Sequence, residues 1–224
     1  MRREYARSGL TEGDLAATWL DQFRAWLADA VAANLPEPNA MILGTADAAG
    51  RPSARTVLLK GVDERGFVFF TNLSSRKAVE AAANPYASLV FGWHAIGRQV
   101  VIGGQVEQIA RADSEAYFAT RPAESRLGAW ASPQSQVVAD RAELERALDE
   151  VTSRFGAAGP TLPPAHWGGL RVVADSVEFW QGRSGRLHDR LRYRRTQVAG
   201  HERGVRQDGP GAPGEGWTVE RVGP

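Results

Sequence analysis

Cysteine is missing from the sequence, and this absence excludes disulfide bonds, thiolate nucleophiles and cysteine-based zinc sites. Only four histidines are present, and no two of them have a spacing that suits a metal on one helix or strand, so no metal site is expected. The net charge of +1 gives no global attraction for nucleic acids or membranes, so any preference for anions must be local. No apolar run could span a bilayer, and the first residues lack the apolar core of a signal peptide. We therefore expect a cytoplasmic protein with no nucleic-acid partner and no membrane partner.

The remaining composition is that of a soluble globular protein. The chain has 224 residues, of which 43% are hydrophobic and 24% are charged. This length can form one large β-rich domain or two small ones. Because no internal repeat and no clear linker divides the chain, we expect a single domain over residues 1–224.

Hydrophobic spacing predicts a helix followed by a run of strands. The helix covers residues 11–33, with Thr11 as its N-cap and with Trp19, Phe23 and Trp26 on its apolar face. A period of two then predicts five strands with short connections, and a short helix that begins at residue 74 or 75. The five strands are predicted at residues 41–46, 53–60, 67–71, 87–93 and 98–107. Closely spaced strands of this kind are typical of an antiparallel barrel.

Helices return in the middle of the chain, and strands return at its end. One helical segment runs from Asp113 to Arg121, and a longer helix spans about 140–155 after a capping-box-like start at Asp140. The Gly- and Pro-rich residues 199–216 predict a flexible loop. Further strands are predicted at residues 169–174, 177–181, 187–194 and 217–222. The predicted fold class is therefore mostly β with flanking helices, an α+β fold.

The segment 179–191 is the first candidate site. In an extended conformation, Arg186, His188 and Arg190 project to one face of a strand. Groups that carry or share positive charge, placed after a Gly-rich turn and an indole, suit an anionic, aromatic ligand. An exposed basic edge strand is the alternative interpretation, since charged residues commonly protect sheet edges.

A second cluster has the composition of a phosphate site. A hydroxyl-rich turn after Phe70 and Thr71 delivers Arg76 and Lys77 to the first turn of a helix. Cations at this position oppose the helix dipole unless an anion lies between them. A bound phosphate would resolve the conflict, and a solvated basic helix start is an equally good interpretation.

A third cluster consists of Tyr117, Arg121 and Ser125, which are spaced at i, i+4 and i+8. If the helix continues past Pro122 with only a mild bend, one face offers a guanidinium group and two hydroxyl groups. This face is a second candidate phosphate site. An ordinary polar helix face is the alternative.

The other polar groups of interest are cations and amides. Arg55 and Lys60 bracket an apolar strand and, five residues apart, face opposite sides of it. Gln99 lies in a strand and Gln134 and Ser135 lie in a polar loop, where amide groups could recognise the heteroatom edge of a flat ring. The sequence thus offers two candidate phosphate sites, amides and aromatic rings, but no thiol, no metal site and no nucleophile–base pair. This combination indicates a bound redox cofactor that the protein orients.

In order and spacing, these motifs resemble the pyridoxine/pyridoxamine 5′-phosphate oxidase family along nearly the whole chain. The matching segments are Arg55-Thr-Val-Leu-Leu-Lys60, Ser75-Arg-Lys-Ala78, Trp167-Gly-Gly169 and Arg186-Leu-His-Asp-Arg190, together with residues 2–5, 69–72, 98–100, 117–125, 128–135 and 178–182. The resemblance implies an antiparallel split β-barrel, and a homodimer with FMN bound at the subunit interface. It also implies oxidation of pyridoxamine or pyridoxine 5′-phosphate to pyridoxal 5′-phosphate. A hydride equivalent would pass from the substrate's C4′ to the flavin, and O2 would be reduced to H2O2.

The resemblance also implies roles for individual residues. FMN contacts fall on Arg55, Thr56, Val57, Leu58, Leu59, Lys60, Phe70, Thr71, Arg76, Lys77, Gln99, Gln134, Ser135, Trp180 and Arg190. Substrate contacts fall on Lys60, Tyr117, Arg121 and Ser125 for the phosphate, and on Arg186 and His188 as the catalytic pair against the substrate ring. Arg2 and Tyr5 would contribute to substrate binding from a mobile N-terminal lid, residues 1–10. Phe70 stands where the family often has Tyr, which removes a possible hydroxyl contact.

Other interpretations remain beside this one. A split-barrel paralogue could use a deazaflavin-type cofactor as a reductase, but it would not need the substrate-phosphate residues together with Arg186 and His188. A non-enzymatic module could store or sense pyridoxal 5′-phosphate. A basic RNA-binding surface at 183–195 is a further alternative, although Asp189 and the leucines beside it interrupt the run of cations.

Overall fold

The structure, a computed structural model, describes residues 9–196 and 216–224. Its strands are β1 (Ala40–Ala46), β2 (Pro52–Leu58), β3 (Gly61–Asp63), β4 (Gly66–Asn72), β5 (Tyr86–Trp93), β6 (Arg98–Gln108), β7 (Trp167–Gln181), β8 (Asp189–Arg195) and β9 (Trp217–Arg221). Its helices are α1 (Trp19–Ala32), α2 (Arg76–Ala83), α3 (Arg111–Ala119), α4 (Ala123–Ala131) and α5 (Arg141–Phe155). In the described part of the chain, no helix is long and apolar enough to cross a membrane. Arg2, Tyr5 and residues 199–215 of the predicted loop lie outside the described residues.

The nine described strands form one antiparallel sheet. Its order is β2-β1-β5-β6-β7-β4-β3, and β8 and β9 extend it from β7. Where the chain leaves β2, the backbone N–H of Lys60 donates to the carbonyl of Val68 on β4 at 2.8 Å. Strands β2 and β3 lie at opposite ends of the strand order but are joined by only residues 59 and 60, so the sheet curls into a half-barrel with the helices around it. The predicted antiparallel split barrel with flanking helices is confirmed.

β7 is the longest strand and links the parts of the sheet. It pairs with β6 along most of its length, with β4 through its first half and with β8 through its second half. The sequence predicted two separate strands here, at 169–174 and 177–181. The register shifts between Gly103 and Gly104, opposite Asp175, so that one continuous strand can bend with the barrel. A Cβ atom on Gly104 would lie 2.0 Å from the carbonyl oxygen of Val173, so this close approach requires glycine.

Helix α1 supplies aromatic side chains to the core inside the sheet. The ring of Phe23 meets the rings of Phe67 and Phe91 with 5.0 Å between centroids, and Trp26 meets Phe179 edge-on at 5.1 Å. All five side chains are buried. The apolar face predicted for the first helix is therefore confirmed.

The start predicted for this helix is wrong. Thr11 caps a single 3-10 turn through its bonds with Asp14, and the chain is extended again at Leu15. Helix α1 begins only at Trp19, where the side chain of Thr18 accepts a hydrogen bond from the backbone of Asp21 at 3.1 Å. Two threonines suited to capping lie seven residues apart, and the second one caps the long helix.

The strand predicted at 187–194 begins later, at Asp189. Gly185 and Arg186 both have left-handed backbone angles, with φ of 67° and 63°, and form a 3-10 turn before the strand. Leu187, which the alternation places on the face opposite to Arg186 and His188, is 73% exposed. The prediction that Arg186, His188 and Arg190 share one strand face is therefore wrong, because the turn ends the alternation before the strand starts.

The continuous helix through Pro122 is also absent. Helix α3 ends at Ala119 and helix α4 begins at Ala123, with Pro122 as its N-cap residue. A proline lacks the N–H that an internal helical bond needs but is tolerated at a helix start. Arg121 therefore lies in the short link between two helices.

Candidate active site

A cavity of about 830 Å³ opens between the edge strand β2, the start of α2 and the α3–α4 pair. Most residues predicted to contact FMN or the substrate phosphate line it. They are Arg55, Thr56, Val57, Leu58, Lys60, Phe70, Thr71, Arg76, Lys77, Tyr117, Arg121, Ser125, Gln134 and Ser135. The cavity has the size of a pocket for a cofactor or a drug-sized ligand.

Strand β2 explains how Arg55 and Lys60 reach the same cavity. The strand ends at Leu58, so the alternation that would place these two cations on opposite sides does not extend to Lys60. Leu59 does not line the cavity. Its side chain is buried in the core. Its backbone N–H donates to the carbonyl of Asn39, and its carbonyl accepts from the side-chain amide of Asn39. A cofactor contact by the Leu59 side chain is thus not supported.

A buried carboxylate stands behind two arginines of the cavity. Glu80, on α2, accepts hydrogen bonds from Arg76 Nε at 2.7 Å and from Thr45 Oγ1 at 2.6 Å, and Arg55 Nη2 lies 3.4 Å from it. Burial raises the pKa of Glu80, but the hydrogen bonds from Ser53, Thr45 and Arg76 outweigh burial and hold the pKa at about 2. The carboxylate is therefore ionised at neutral pH and fixes one arginine from β2 and one from α2.

Lys77 lies beside these arginines at the start of α2. Its Nζ donates to Thr71 Oγ1 at 3.1 Å, to Ser75 Oγ at 3.2 Å and to Gln134 Oε1 at 3.1 Å, and all three acceptors are uncharged. Burial lowers the pKa of Lys77, and repulsion from Arg55 lowers it further. An anion bound between the two cations would relieve this repulsion.

The opposite wall of the cavity is aromatic. Phe70 stacks on Tyr117 with 3.9 Å between ring centroids and on Trp167 with 5.2 Å, and the three rings are nearly parallel. The ring of Phe70, which β4 carries, therefore packs against Tyr117 of α3 and Trp167 of β7. The hydroxyl that a tyrosine would carry at position 70 is not needed for this packing.

Arg121 lies against this aromatic wall although its helix is broken. Its guanidinium carbon is 5.0 Å from the ring centroid of Trp167, and Tyr117 and Ser125 line the same cavity from α3 and α4. Burial lowers the pKa of Arg121, and its Nη1 atom is buried without a hydrogen-bond partner in the described structure. Buried guanidinium donors are normally paired, so an anionic group is the expected partner.

A second group of predicted residues lies elsewhere in the protomer and does not line this cavity. Gln99 on β6, Trp180 on β7 and Arg190 on β8 occupy one row across three paired strands. Arg190 forms a two-pronged ion pair with Glu178, with Nε–Oε1 and Nη2–Oε2 distances of 2.9 Å. This pair raises the pKa of Arg190.

The two residues predicted to face the substrate ring lie beside this row. The ring of His188 is 4.7 Å from that of Trp180, and His188 Nδ1 accepts a hydrogen bond from the backbone of Arg183 at 3.0 Å. A neutral His188 therefore carries its proton on Nε2. Arg186 is exposed and keeps a left-handed backbone, which is uncommon for a residue other than glycine and occurs at functional sites.

Glu80 and Trp167 are not among the residues predicted from the sequence to act in the site. The spacing of Arg76 and Glu80, four residues apart on a helix, is a signal that could have indicated their pairing. No sequence signal predicts the contact of Trp167 with Arg121, because the two residues come from separate elements far apart in the chain.

Two family models match the chain, one over its N-terminal part and the other over its C-terminal part. Residues 27–155 match the model described as pyridoxamine 5′-phosphate oxidase, and residues 167–224 match the pyridoxine 5′-phosphate oxidase C-terminal dimerisation region. The pyridoxine/pyridoxamine 5′-phosphate oxidase of Salinispora arenicola (strain CNS-205) is 53% identical over 225 residues, which covers 100% of this chain and 95% of that protein. The C-terminal match supports a homodimer that acts on a small molecule.

Solved structures share the fold. PhzG from Burkholderia lata 383, in complex with tetrahydrophenazine-1-carboxylic acid, has a TM-score of 0.83 and 27% identity over 99% of this chain and 100% of that chain. A pyridoxamine 5′-phosphate oxidase-related, FMN-binding protein from Nostoc punctiforme PCC 73102 has a TM-score of 0.67 and 19% identity, over 90% of this chain and 97% of that chain. The chain thus belongs to the pyridoxamine 5′-phosphate oxidase family of flavin oxidoreductases, with FMN as its cofactor.

Proposed function

We propose that this chain is an FMN-dependent oxidase that converts pyridoxamine or pyridoxine 5′-phosphate to pyridoxal 5′-phosphate. One observation carries the proposal: a single cavity holds two separate sets of groups suited to a phosphate. The first set is Arg55, Arg76 and Lys77, and the second is built around Arg121. FMN and the substrate each carry one phosphate, so two sets match one cofactor and one substrate.

The first set fits the phosphate of FMN. Arg55 and Lys77 repel one another, and Arg76 stands at the start of α2, where backbone N–H groups and the helix dipole favour an anion. Among the described residues, β2 pairs with β1 on one side only. The backbone groups on the other side of Arg55–Leu58 can therefore bond to the heteroatom edge of a flavin ring. When bound, FMN would accept the hydride equivalent that leaves the substrate's C4′, and molecular oxygen would take up the two electrons with two protons to give hydrogen peroxide. With the amine substrate, water would then release the nitrogen as ammonia.

The second set fits the substrate phosphate. Arg121 Nη1 has no partner in the described structure, and hydroxyl groups of Tyr117 and Ser125 line the same cavity. Lys60, two residues beyond the end of β2, lines the same cavity and adds a further cation. These groups hold the end of the substrate that is remote from its reacting carbon, and so place C4′ near the flavin ring.

In a homodimer, the row of Gln99, Trp180 and Arg190 would complete the site, together with Arg186 and His188 beside it. Trp180, Arg186, His188 and Arg190 belong to the matched dimerisation region, and Gln99 is their neighbour in the sheet. We infer that these residues contribute to the cavity of the partner subunit, which places FMN at the subunit interface. Arg186 would then cover the substrate ring and His188 would hydrogen-bond a ring substituent, both as positioning contacts for hydride transfer. The lid role of Arg2 and Tyr5 and the cytoplasmic location stay predictions.

Visible absorption spectroscopy of the purified protein tests the proposal. We expect flavin bands in the protein as purified or after addition of FMN. Anaerobic addition of pyridoxamine or pyridoxine 5′-phosphate should bleach them, and admission of air should restore the bands with formation of hydrogen peroxide. Pyridoxamine without its phosphate, at the same concentration, is the matched control and should bleach them far more slowly. A protein that binds no flavin, or a bound flavin that neither phosphorylated substrate reduces, would contradict the proposal.

A further inference from the structure

Trp167 is the residue at which the aromatic wall meets Arg121. It is 5% exposed and begins β7, and its ring stacks on Phe70 and meets Phe118 edge-on at 5.0 Å. The guanidinium carbon of Arg121 lies 5.0 Å from the Trp167 centroid and 5.6 Å from that of Phe118. Trp167 is thus both part of the cavity wall and the nearer of two aromatic supports for the cation.

The backbone of Trp167 is fixed from several sides. It pairs with Asn72 of β4, its N–H donates to Pro164 at 3.0 Å, and its carbonyl accepts from Arg111 Nη1 at 2.9 Å. These bonds tie the indole to the sheet. Arg121, by contrast, lies in the link between α3 and α4, outside both helices, where its backbone N–H donates to the carbonyl of Phe118 at 3.1 Å. A ring fixed by the sheet therefore faces a guanidinium group that is carried by a link between two helices.

We propose that Trp167 is a positioning residue for the substrate phosphate, acting through Arg121. A guanidinium plane is attracted to an indole face, and this attraction is stronger where water is excluded. Held in this way, Arg121 keeps its donors in the cavity before the ligand arrives, so that less side-chain freedom is lost when the phosphate binds. The inference rests on the proposed function, because it takes Arg121 as the substrate-phosphate contact.

The effect should appear in binding rather than in the chemical step. The phosphate is remote from the reacting carbon, so contacts to it are shared by the ground state and the transition state. Removing the indole face should therefore raise KM for pyridoxamine 5′-phosphate about three- to tenfold with little change in kcat. Arg121→Ala should raise KM about ten- to a hundredfold, because it removes a charge-assisted contact itself.

The experiment compares Trp167→Leu and Trp167→Phe in the FMN-loaded protein. Steady-state KM and kcat are measured, together with the Kd of 4-deoxypyridoxine 5′-phosphate, which has no oxygen or nitrogen on C4′ to oxidise. We expect Trp167→Leu to weaken this analogue about three- to tenfold and Trp167→Phe to weaken it less, since phenylalanine keeps a ring face. The analogue without its phosphate should bind both variants as it binds the unaltered protein. A purely structural defect would weaken both analogues alike.

Trp26→Leu is the matched control. Trp26 is also buried and carries Arg98 over its ring at 4.4 Å, but it packs in the core and does not line the cavity. We expect it to leave the ratio of the two analogue affinities unchanged, even if it lowers stability. An equal change of that ratio in Trp26→Leu and Trp167→Leu would overturn the inference.

A double-mutant cycle separates the possible failures. In an Arg121→Ala background, Trp167→Leu should have no further effect on KM. If Arg121→Ala raises KM but Trp167→Leu raises it by the same factor in both backgrounds, or not at all, the positioning role is wrong and the phosphate site stands. If Arg121→Ala leaves KM unchanged, the assignment of the substrate phosphate to this part of the cavity is wrong. Should Trp167→Leu fail to fold, Trp167→Phe in the same cycle decides between these outcomes.

Discussion

Replacement of Glu80 by glutamine should destabilise the protein in a way that depends on pH. The carboxylate is 5% exposed and holds Arg76 and Arg55, together with Thr45. Its pKa is about 2 in the folded protein against 4.5 for an unpaired glutamate. This difference corresponds to about 3 kcal/mol of unfolding free energy at most, and to about 2 kcal/mol once screening at the exposed side of Arg76 is considered.

The direction of the pH dependence follows from the lowered pKa. Because the folded pKa lies below the unfolded one, the stabilisation by Glu80 is complete above about pH 4.5 and is lost as the pH falls towards 2. The difference in unfolding free energy between the unaltered protein and Glu80→Gln should therefore be constant from about pH 7 to pH 5.5. At about pH 3.5 it should be smaller by roughly 1 kcal/mol.

Urea unfolding of the FMN-free protein, at one fixed protein concentration, measures this difference. Glu115→Gln is the matched control, because Glu115 also pairs with an arginine four residues away, Arg111, at 2.8 Å, but is 37% exposed on its side chain. Surface pairs of this kind contribute about 0–1 kcal/mol, so the control should stay within roughly 0.5 kcal/mol. An unaltered stability of Glu80→Gln at pH 7, or a difference that does not shrink in acid, would refute the role of Glu80 as an ionised, buried partner of the arginines.

Replacement of Arg76 and Lys77 together by alanine should weaken FMN binding with little loss of folded structure, because these cations surround the position of an anion; an unchanged Kd for FMN would contradict the assignment. Arg186→Ala and His188→Ala should keep a normal flavin spectrum but lower the rate of anaerobic flavin reduction by substrate, and Arg186→Lys should not restore that rate, since lysine lacks the planar guanidinium. Arg190→Ala should instead lower the flavin content, and a fully flavinated, active Arg190→Ala beside a flavin-free Arg186→Ala would reverse the roles.

Local pattern in the sequence was sufficient for the type and order of most elements. The residues of β1, β4, β5 and β6 alternate between buried and more exposed because the sheet has one buried face. Any sequence that packs such a sheet must show this alternation. The long helix α5 was predicted with its cap, since Asp140 accepts a hydrogen bond from the backbone of Glu143 at 2.8 Å. Two of the boundaries that were wrong, the start of the first helix and the start of β8, lie where local propensity is a weak guide and tertiary packing decides the conformation.

The sequence also identified the polar groups of the cavity, but only tertiary structure determined how they are arranged. The helix through Pro122 is broken, yet Tyr117, Arg121 and Ser125 still converge, because two separate helices pack around one cavity. The division of the predicted residues between this cavity and the row at Arg190 depends on sheet pairing. Such pairing joins residues distant in the chain and leaves no local periodicity.

Composition and local pattern alone define the chemical groups that the protein has available: no thiol, local clusters of cations that suit phosphates, and aromatic rings that suit a flat ligand. The residues that hold those cations in place follow from the three-dimensional packing. Glu80 beneath Arg76 and Arg55, and Trp167 against Arg121, became visible only in three dimensions. The orientation of a charged side chain depends on the dielectric and the partners around it, and a folded core supplies both from distant parts of the chain.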